Sequence, residues 1–244
     1  MQNKIIVLIL AAGKGSRLNH ELPKPLVPIS NVPMISRIIN VFKSVNNLDI
    51  AVVVGYKKEE IKQSINDDVF FIYQDKPNGT ADAVKCAVDK IKNYDNILIV
   101  TGDSGLITKE SINSLIKSHL LIGADCSFLS SIFPFKLPYA RVIRNDNRVI
   151  KCVEERDASE KELESKELFT SHYIFEKESL FKYINQIKQN NKTGEYYLTD
   201  IINIMIEDGS KINGIKIDDF RSLMGINTLE ELELAENWIK EIYE

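Results

Sequence analysis

The sequence has little of what several classes of protein require. Only three of its 244 residues are cysteines, and none forms a Cys-x-x-Cys pair, so neither a zinc ribbon nor a disulfide framework is indicated. The three histidines also lack the spacing of metal ligands. Because Cys86, Cys126 and Cys152 all lie in apolar stretches, we expect buried structural thiols.

Long hydrophobic runs and an excess of positive charge are missing as well. The N-terminal apolar run is too short for a signal-peptide core, and no run approaches the ~20 apolar residues that span a bilayer. The formal net charge of −4 gives no basic surface for nucleic acid. We therefore expect a soluble, cytoplasmic protein that binds neither nucleic acid nor membrane. The sequence carries no signal for the oligomeric state.

Short apolar runs alternate with segments of helical length in the first half of the chain. Residues 5–10 form a continuous β-branched run, typical of a strand buried on both faces of a parallel sheet. Similar runs occupy residues 50–54, 69–73 and 97–101, and helical patterns cover 34–44, 59–65 and 81–91. This order predicts an α/β fold with a doubly wound, mixed and mainly parallel sheet.

The second half of the chain changes character. A turn-forming cluster at residues 145–147 predicts a β-hairpin over 139–144 and 149–154. A strand over 169–175, helices over 180–188 and 197–207, and a C-terminal helix opened by a capping box at 228–231 should follow. We expect one domain over residues 1–244, with a first part over about 1–120, a hairpin lobe over about 121–194 and a remainder that returns to the core.

A glycine-rich segment, Leu-Ala-Ala-Gly-Lys-Gly-Ser-Arg-Leu over residues 10–18, follows the first predicted strand. Glycines let backbone amides approach phosphate oxygens closely, and Lys14 and Arg17 add positive charge. The third glycine of the dinucleotide fingerprint is missing, since Leu18 stands in its place, and there is no Gly-Lys-Ser/Thr of a P-loop. Taken alone, the segment could also be an ordinary strand-to-helix turn.

Two further segments carry groups suited to a nucleotide. Three prolines between residues 23 and 28 hold Lys24 in a narrow range of positions, although an exposed proline loop would look the same. Gln74 offers one donor and one acceptor to a base edge. Gly79 and Thr80 form the turn into a helix whose N-terminus favours anions, and a Thr80 N-cap would also explain that turn.

Asp103 follows Gly102 at the end of the fourth predicted strand. A carboxylate at that position is well placed to hold Mg²⁺. All four segments leave carboxyl ends of predicted parallel strands, where open α/β sheets bind their ligands. This common placement favours a single nucleotide site over four unrelated turns.

These motifs resemble those of the sugar-phosphate nucleotidyltransferase superfamily. The residues that carry the resemblance are Leu-Ala-Ala-Gly-x-Gly-x-Arg-Leu (10–18), Pro-Lys-x-Leu (23–26), Gln-x-x-x-x-Gly-Thr-Ala (74–81) and Gly-Asp (102–103). The nearest branch is the uridylyltransferase half of the bifunctional N-acetylglucosamine-1-phosphate enzymes, and segments 139–142, 153–158, 194–200 and 225–227 continue the likeness. The resemblance implies a Rossmann-like nucleotidyltransferase fold with a small β-hairpin lobe for the acceptor.

The resemblance also implies roles for individual residues. Arg17, Lys24 and Asp103 would be catalytic, and Asp103 and Asn227 would coordinate Mg²⁺, the expected cofactor. The residues expected to bind the nucleotide are Leu10, Ala11, Ala12, Gly13, Lys24, Gln74, Gly79, Thr80, Thr101, Gly102 and Asp103. Those expected to face the acceptor are Ala140, Glu154, Thr170, His172, Tyr197 and Thr199.

The implied reaction transfers a nucleoside monophosphate from CTP or UTP to a small phosphorylated metabolite. An acceptor phosphate oxygen would attack the α-phosphorus in line, and pyrophosphate would leave. Because that oxygen is already ionised, no general base is needed. Catalysis would then depend on alignment and on charge neutralisation by Mg²⁺, Lys24 and Arg17.

Two departures from the family pattern concern the acceptor. Ala140 replaces the glycine of Tyr-Gly-Arg, and Thr170-Ser171-His172 replaces the Asn-Thr-Gly that contacts the sugar and its N-acetyl group. The hexapeptide-repeat acetyltransferase domain of the bifunctional enzymes is also absent from these residues. Lost contacts of this kind should change the acceptor. The pattern is most similar to the phosphoglutamine cytidylyltransferases of capsule phosphoramidate biosynthesis, which join CTP and L-glutamine phosphate to give CDP-L-glutamine.

Other interpretations stay open. Neighbouring side chains could compensate, so that UTP and N-acetylglucosamine-1-phosphate or another hexose-1-phosphate remain the substrates. Gln74 does not decide the base, since its amide could match uracil or cytosine by turning over. A nucleotide-binding regulatory module without turnover is the alternative of another class, and a dinucleotide-dependent oxidoreductase is less favoured because its third glycine is missing.

Overall fold

The structure, a computed structural model, describes residues 3–243, so the predicted domain's residues 1, 2 and 244 lie outside it. Its strands are β1 (Ile5–Ala11), β2 (Pro28–Ile29), β3 (Val32–Pro33), β4 (Leu48–Val54), β5 (Phe70–Tyr73), β6 (Asn96–Thr101), β7 (Cys126–Ile132), β8 (Arg141–Asn145), β9 (Arg148–Val153), β10 (Glu167–Glu176) and β11 (Ile212–Lys216). Its α-helices are α1 (Met34–Lys43), α2 (Lys58–Ser64), α3 (Thr80–Ala87), α4 (Lys109–Ile122), α5 (Glu160–Leu163), α6 (Lys177–Tyr183), α7 (Asp200–Glu207) and α8 (Leu229–Tyr243).

The central sheet has the strand order β11-β7-β10-β6-β1-β4-β5. Neighbours from β6 to β5 are parallel, β11 is parallel to β7, and β10 runs antiparallel to both β6 and β7. The hairpin of β8 and β9 joins this sheet through the pairing of Leu168 with Arg141. The predicted α/β fold with a mixed, mainly parallel sheet is therefore confirmed.

Strand β1 shows why the sequence produces a sheet covered on both faces. It lies between β4 and β6, so its backbone is paired on both edges and its side chains are buried in alternating directions. Val7 and Ile9 pack into a core that includes residues of α1 and α8. Leu8 packs into a second core that includes residues of α3 and α7. A strand buried on both faces has no polar side, which explains the continuous apolar run.

Local signals for turns and caps give the expected elements with small shifts. The β8–β9 hairpin turns at Asp146, whose φ is +53°. At the start of α8 the Thr228 amide donates to the Glu231 carboxylate (3.1 Å), and the Glu231 amide donates to the Thr228 hydroxyl (3.2 Å), which confirms the capping box. The helix predicted over 180–188 begins earlier, as α6, because the Glu176 carboxylate accepts from the Ser179 amide.

Six of these elements have no sequence prediction: β2, β3, α4, β7, α5 and β11. Strand β7 is buried although it carries serines, because Ser131 donates to the Ile217 carbonyl (2.6 Å) and Ser130 to the Glu167 carboxylate (2.6 Å). The prediction of three buried thiols is wrong for Cys86, which is exposed because α3 buries its opposite face. Cys126 and Cys152 are buried as predicted. Over the described residues, every helix is too short or too polar to cross a membrane.

Candidate active site

A cavity of about 550 Å³ opens at the carboxyl ends of β1 and β6 and at the start of α3. All the predicted nucleotide-binding residues lie in its wall, which also contains Arg17 and Asn227. Parallel strands place their carboxyl ends at the same edge of a sheet, so loops that are distant in sequence meet there. The structure thus brings the four motif segments together.

The start of α3 depends on Gly79. Its φ is +108°, and a Cβ at this position would lie 2.5 Å from the Tyr196 carbonyl oxygen. The Ala81 amide donates to that same carbonyl (3.0 Å), and the Leu198 amide donates to the Thr80 hydroxyl (2.9 Å). The Thr80 side chain therefore ties residues 196–198 to the helix and does not cap the helix that it begins.

The charged side chains of the cavity form a connected network. The Lys24 ammonium donates to Asp103 Oδ2 (2.5 Å) and to Asn227 Oδ1 (2.8 Å), and Arg17 Nη2 donates to the same Asn227 oxygen (2.9 Å). The side chains of Lys24 and Asp103 are 14% and 18% exposed. Burial by itself would raise the pKa of Asp103, but the charge and hydrogen bond of Lys24 hold that pKa below its usual value. The aspartate is therefore an anion with its counter-ion already in place.

Asn227 is held by a loop that Tyr139 fixes. The Tyr139 hydroxyl donates to the Gly225 carbonyl and accepts from the Gly225 amide, both at 2.9 Å, and burial raises its pKa, so it stays protonated. The Ile226 amide donates to the Asp103 carbonyl (3.0 Å). Asn227 Nδ2 donates to the Gly225 carbonyl (3.2 Å), which directs Oδ1 toward Lys24. The loops that carry Asp103 and Asn227 are far apart in sequence, yet they direct one side-chain oxygen each toward the same point, the Lys24 ammonium.

These two oxygens suit a Mg²⁺ ion. Residues 3–241 contain no group of three or more His, Cys, Asp or Glu side chains arranged to hold a metal. Mg²⁺ commonly takes one or two protein ligands and completes its octahedron with substrate phosphates and water. Asp103 Oδ2 and Asn227 Oδ1 both contact a single cation, the Lys24 ammonium. The predicted ligand pair therefore fits such an ion, provided that Lys24 moves.

Gln74 is more constrained than the sequence suggests. Its amide nitrogen donates to Asp82 Oδ2 (2.7 Å) and lies 3.3 Å from the Gly79 carbonyl oxygen. Both partners can only accept, so the buried amide cannot turn over without placing its own oxygen against them. We therefore correct the expectation that the Gln74 amide can turn over to match either uracil or cytosine. Sequence reasoning did not identify Asp82, whose carboxylate fixes the orientation of this amide. Gln74 can offer a ligand its oxygen, an acceptor.

A second cavity, of about 220 Å³, adjoins the first. Five residues line both cavities: Arg17, Thr80, Thr101, Asp103 and Asn227. Four of the predicted acceptor residues lie in the wall of the second cavity: Ala140, Glu154, Thr170 and Thr199. Burial raises the pKa of Glu154, and a hydrogen bond with Thr199 partly offsets that rise. Five other residues line the second cavity and are not among the predicted acceptor residues: Pro138, Tyr139, Phe169, Ser171 and Gly225.

Two predicted acceptor residues lie elsewhere. Tyr197 is in the wall of the larger cavity, with the Arg156 guanidinium 5.2 Å from its ring centre. His172 is fully buried and lines neither cavity, because the register of β10 shifts between Phe169 and Tyr173 and Ser171 adopts a φ of +58°. This bulge places Ser171 in the cavity wall, so we correct the expectation that His172 faces the acceptor.

The surroundings of His172 define its state. The Thr170 hydroxyl donates to the Leu129 carbonyl (3.0 Å), so its oxygen accepts from His172 Nδ1 (3.0 Å). The other ring nitrogen, Nε2, is the one buried side-chain nitrogen or oxygen atom of the described residues without a hydrogen-bond partner. Burial lowers the pKa of His172 to about 4. The imidazole is therefore neutral at physiological pH.

Comparisons with known proteins show which family and which relatives this chain is similar to. Residues 7–170 match the family described as the MobA-like NTP transferase domain. The bifunctional protein GlmU of Clostridium kluyveri is 39% identical over 232 residues, which are 94% of this chain and 51% of that protein. GlmU of Staphylococcus carnosus is 34% identical over 236 residues, 96% of this chain and 52% of that protein. The chain spans about half the length of these curated relatives.

Among solved structures, a Bacillus anthracis protein shares the fold. It is described as a glucose-1-phosphate thymidylyltransferase in complex with sucrose, and it matches with a TM-score of 0.77 and 23% identity. The match covers 96% of this chain and 94% of the other. At this identity the similarity establishes the architecture alone.

Proposed function

The chain belongs to the family of MobA-like NTP transferase domains, and we propose that it transfers a nucleoside monophosphate from a nucleoside triphosphate to a small phosphorylated acceptor. The observation that carries the proposal is the junction of the two cavities. Arg17, Asp103 and Asn227 line both of them, so one charged cluster can face a donor on one side and an acceptor on the other. A transfer reaction requires such an arrangement.

The larger cavity suits the triphosphate. It lies at the glycine-rich loop after β1 and at the N-terminus of α3, where backbone amides and the helix dipole favour phosphate. Lys14, Arg17 and Lys24 place three cations in its wall. Gln74 lies in the same wall and would accept a hydrogen bond from the base. We propose that the acceptor phosphate occupies the second cavity beside Arg17.

The reaction requires no base from the protein. An ionised oxygen of the acceptor phosphate forms a bond to the α-phosphorus, and the bond from that phosphorus to the bridging oxygen of pyrophosphate breaks. Arg17 and Lys24 bind phosphate oxygens, orient them and stabilise the negative charge that shifts onto the leaving group. Bound by Asp103 and Asn227, Mg²⁺ would supply further charge neutralisation at the phosphates.

For the substrates, we propose UTP and N-acetylglucosamine-1-phosphate or another hexose-1-phosphate. The GlmU relatives, 34% and 39% identical over nearly the whole chain, support this choice better than CTP and L-glutamine phosphate, which the sequence motifs favoured. A specific observation keeps the second pair as a candidate. Ala140, Thr170 and Ser171, which depart from the uridylyltransferase pattern, lie together in the wall of the second cavity.

We further propose that residues 1–244 act as one domain. Asp103 belongs to the first predicted part of the chain, Ala140 to the hairpin lobe and Asn227 to the remainder, and all three line the second cavity. A site built from all three parts should unfold as a unit. Two separate urea transitions, seen by tryptophan fluorescence and circular dichroism, would contradict this.

A substrate panel tests the function. Purified protein with Mg²⁺ is given UTP, CTP or dTTP together with N-acetylglucosamine-1-phosphate, glucose-1-phosphate or L-glutamine phosphate, and pyrophosphate release is measured. We expect turnover with UTP and a hexose-1-phosphate, and the Asp103→Ala variant serves as the inactive control. Turnover with CTP and L-glutamine phosphate alone would select the second candidate. Tight triphosphate binding with no turnover in any combination would overturn the proposal in favour of a regulatory module.

A further inference from the structure

The Lys24 ammonium lies where the two candidate metal ligands converge. Its Nζ is 2.5 Å from Asp103 Oδ2 and 2.8 Å from Asn227 Oδ1, and Arg17 already donates to that second oxygen. In the nucleotide-free protein, both oxygens therefore have cationic partners from the protein itself. A divalent ion that bridges the two oxygens needs the same space, and like charges at this distance repel strongly where solvent is largely excluded.

The backbone at Lys24 is fixed, so any rearrangement falls to its side chain. Pro23 and Pro25 flank it, the Leu26 amide donates to the Pro23 carbonyl (2.8 Å), and the Val27 amide donates to the Lys24 carbonyl (3.2 Å). The side chain also lies in the wall of the larger cavity. A rotation of its flexible chain would carry the ammonium away from Asp103 toward the space that a triphosphate would fill.

We propose that Lys24 acts as a resident counter-ion, which occupies the metal position until a triphosphate draws it away. This inference rests on the proposed function for the identity of the triphosphate. Phosphate oxygens offer the ammonium new partners, and its departure frees Asp103 and Asn227 for the metal. Metal and triphosphate then bind cooperatively, and each increases the affinity for the other by the same factor. The metal binds weakly to the nucleotide-free protein.

The test measures Mn²⁺ binding without turnover. Free Mn²⁺ is titrated against nucleotide-free protein and followed by electron paramagnetic resonance, for the wild type and for Lys24→Gln and Lys24→Met. Removal of the competing charge should tighten Mn²⁺ binding by at least ~10-fold. Lys14→Gln is the matched control, since Lys14 is an exposed cation in the same cavity that forms no ion pair among the described residues. It should change Mn²⁺ affinity by no more than ~3-fold.

Two further measurements complete the test. In Lys24→Met, a second change, Asp103→Asn, should abolish the gain, which places the ion at Asp103. The non-hydrolysable α,β-methylene analogues of UTP and CTP should tighten Mn²⁺ binding of the wild type more than that of Lys24→Met. Equal Mn²⁺ affinity of the wild type and both Lys24 variants, all folded by circular dichroism, would overturn the inference. Because no acceptor or turnover is involved, this result is independent of the substrate panel.

Discussion

Acid should destabilise this fold through His172, and the substitution His172→Asn should remove part of that effect. The imidazole is fully buried, Nδ1 donates to the Thr170 hydroxyl, and Nε2 has no hydrogen-bond partner among the described residues. A proton on Nε2 would create a buried charge without a partner. Burial accordingly lowers the pKa of His172 to about 4.

The magnitude follows from proton linkage. An unfolded histidine takes up its proton near pH 6.5, whereas His172 in the folded protein resists until about pH 4. Above pH 6.5 the group is neutral in both states and its full contribution to stability is present. Between these two pH values the unfolded state binds one more proton, so the free energy of unfolding falls by about 1.4 kcal/mol per pH unit as the pH drops, and by about 3 kcal/mol in all.

Urea unfolding at several pH values between 7.5 and 4.5, followed by the fluorescence of the buried Trp238, measures this slope. His119 is the matched comparison, since burial also lowers its pKa to about 4, but its ring nitrogens contact Ser127 (2.9 Å) and Asn96 (3.0 Å). His119→Asn should reduce the slope similarly and cost more stability at pH 7.5, because it leaves those partners unsatisfied. An unchanged slope in His172→Asn would refute the reasoning.

Four further predictions concern the active site. Asp103→Ala and Lys24→Ala should each lower turnover at least ~100-fold in the pyrophosphate assay, as losses of comparable electrostatic groups do. Asp82→Leu should bring the kcat/KM ratio between UTP and CTP closer to one by ~10-fold, because the Gln74 amide then loses its accept-only partner and is freer to turn over. The KM for the acceptor should rise as the pH falls toward the raised pKa of Glu154, and Glu154→Gln should flatten that profile. Gly79→Ala should destabilise the protein by about 1–3 kcal/mol in urea titrations, because its Cβ would meet the Tyr196 backbone at a φ of +108°.

The parts of the fold that depend on local signals were predictable from the sequence. The continuous apolar run of β1 indicates burial on both faces, and the structure places this strand between two parallel neighbours. The convergence of the nucleotide motifs followed from one rule, that parallel strands end at the same edge of a sheet. Gly13, Gln74 and Asp103 lie in different loops, yet they line one cavity for this reason.

The features that sequence reasoning missed depend on contacts between distant segments. The bulge in β10 puts Ser171 in the cavity wall and His172 beneath it, and no local pattern marks such a register shift. The serines of β7 give a polar pattern to a buried strand, because their hydroxyl groups donate to Glu167 of β10 and to Ile217, the residue that follows β11. Asp82 lies in the first turn of α3, where an acidic residue is ordinary, and its bond to Gln74 appears only when the strand and helix pack together.

The network around Asp103 has a consequence for which anions the site admits. Arg17 and Lys24 bring two positive charges and Asp103 brings one negative charge. The hydrogen bonds from Lys24 to Asp103 and Asn227 must break before the ammonium can move to a ligand. A simple anion that attracts Lys24 leaves the largely buried carboxylate of Asp103 without its counter-ion, which is costly. A triphosphate that arrives with Mg²⁺ replaces the ammonium with a metal ion at the same carboxylate. If Lys24 acts as a resident counter-ion, the ion pair between Lys24 and Asp103 therefore makes the site bind metal-bound triphosphate in preference to free phosphate or sulfate.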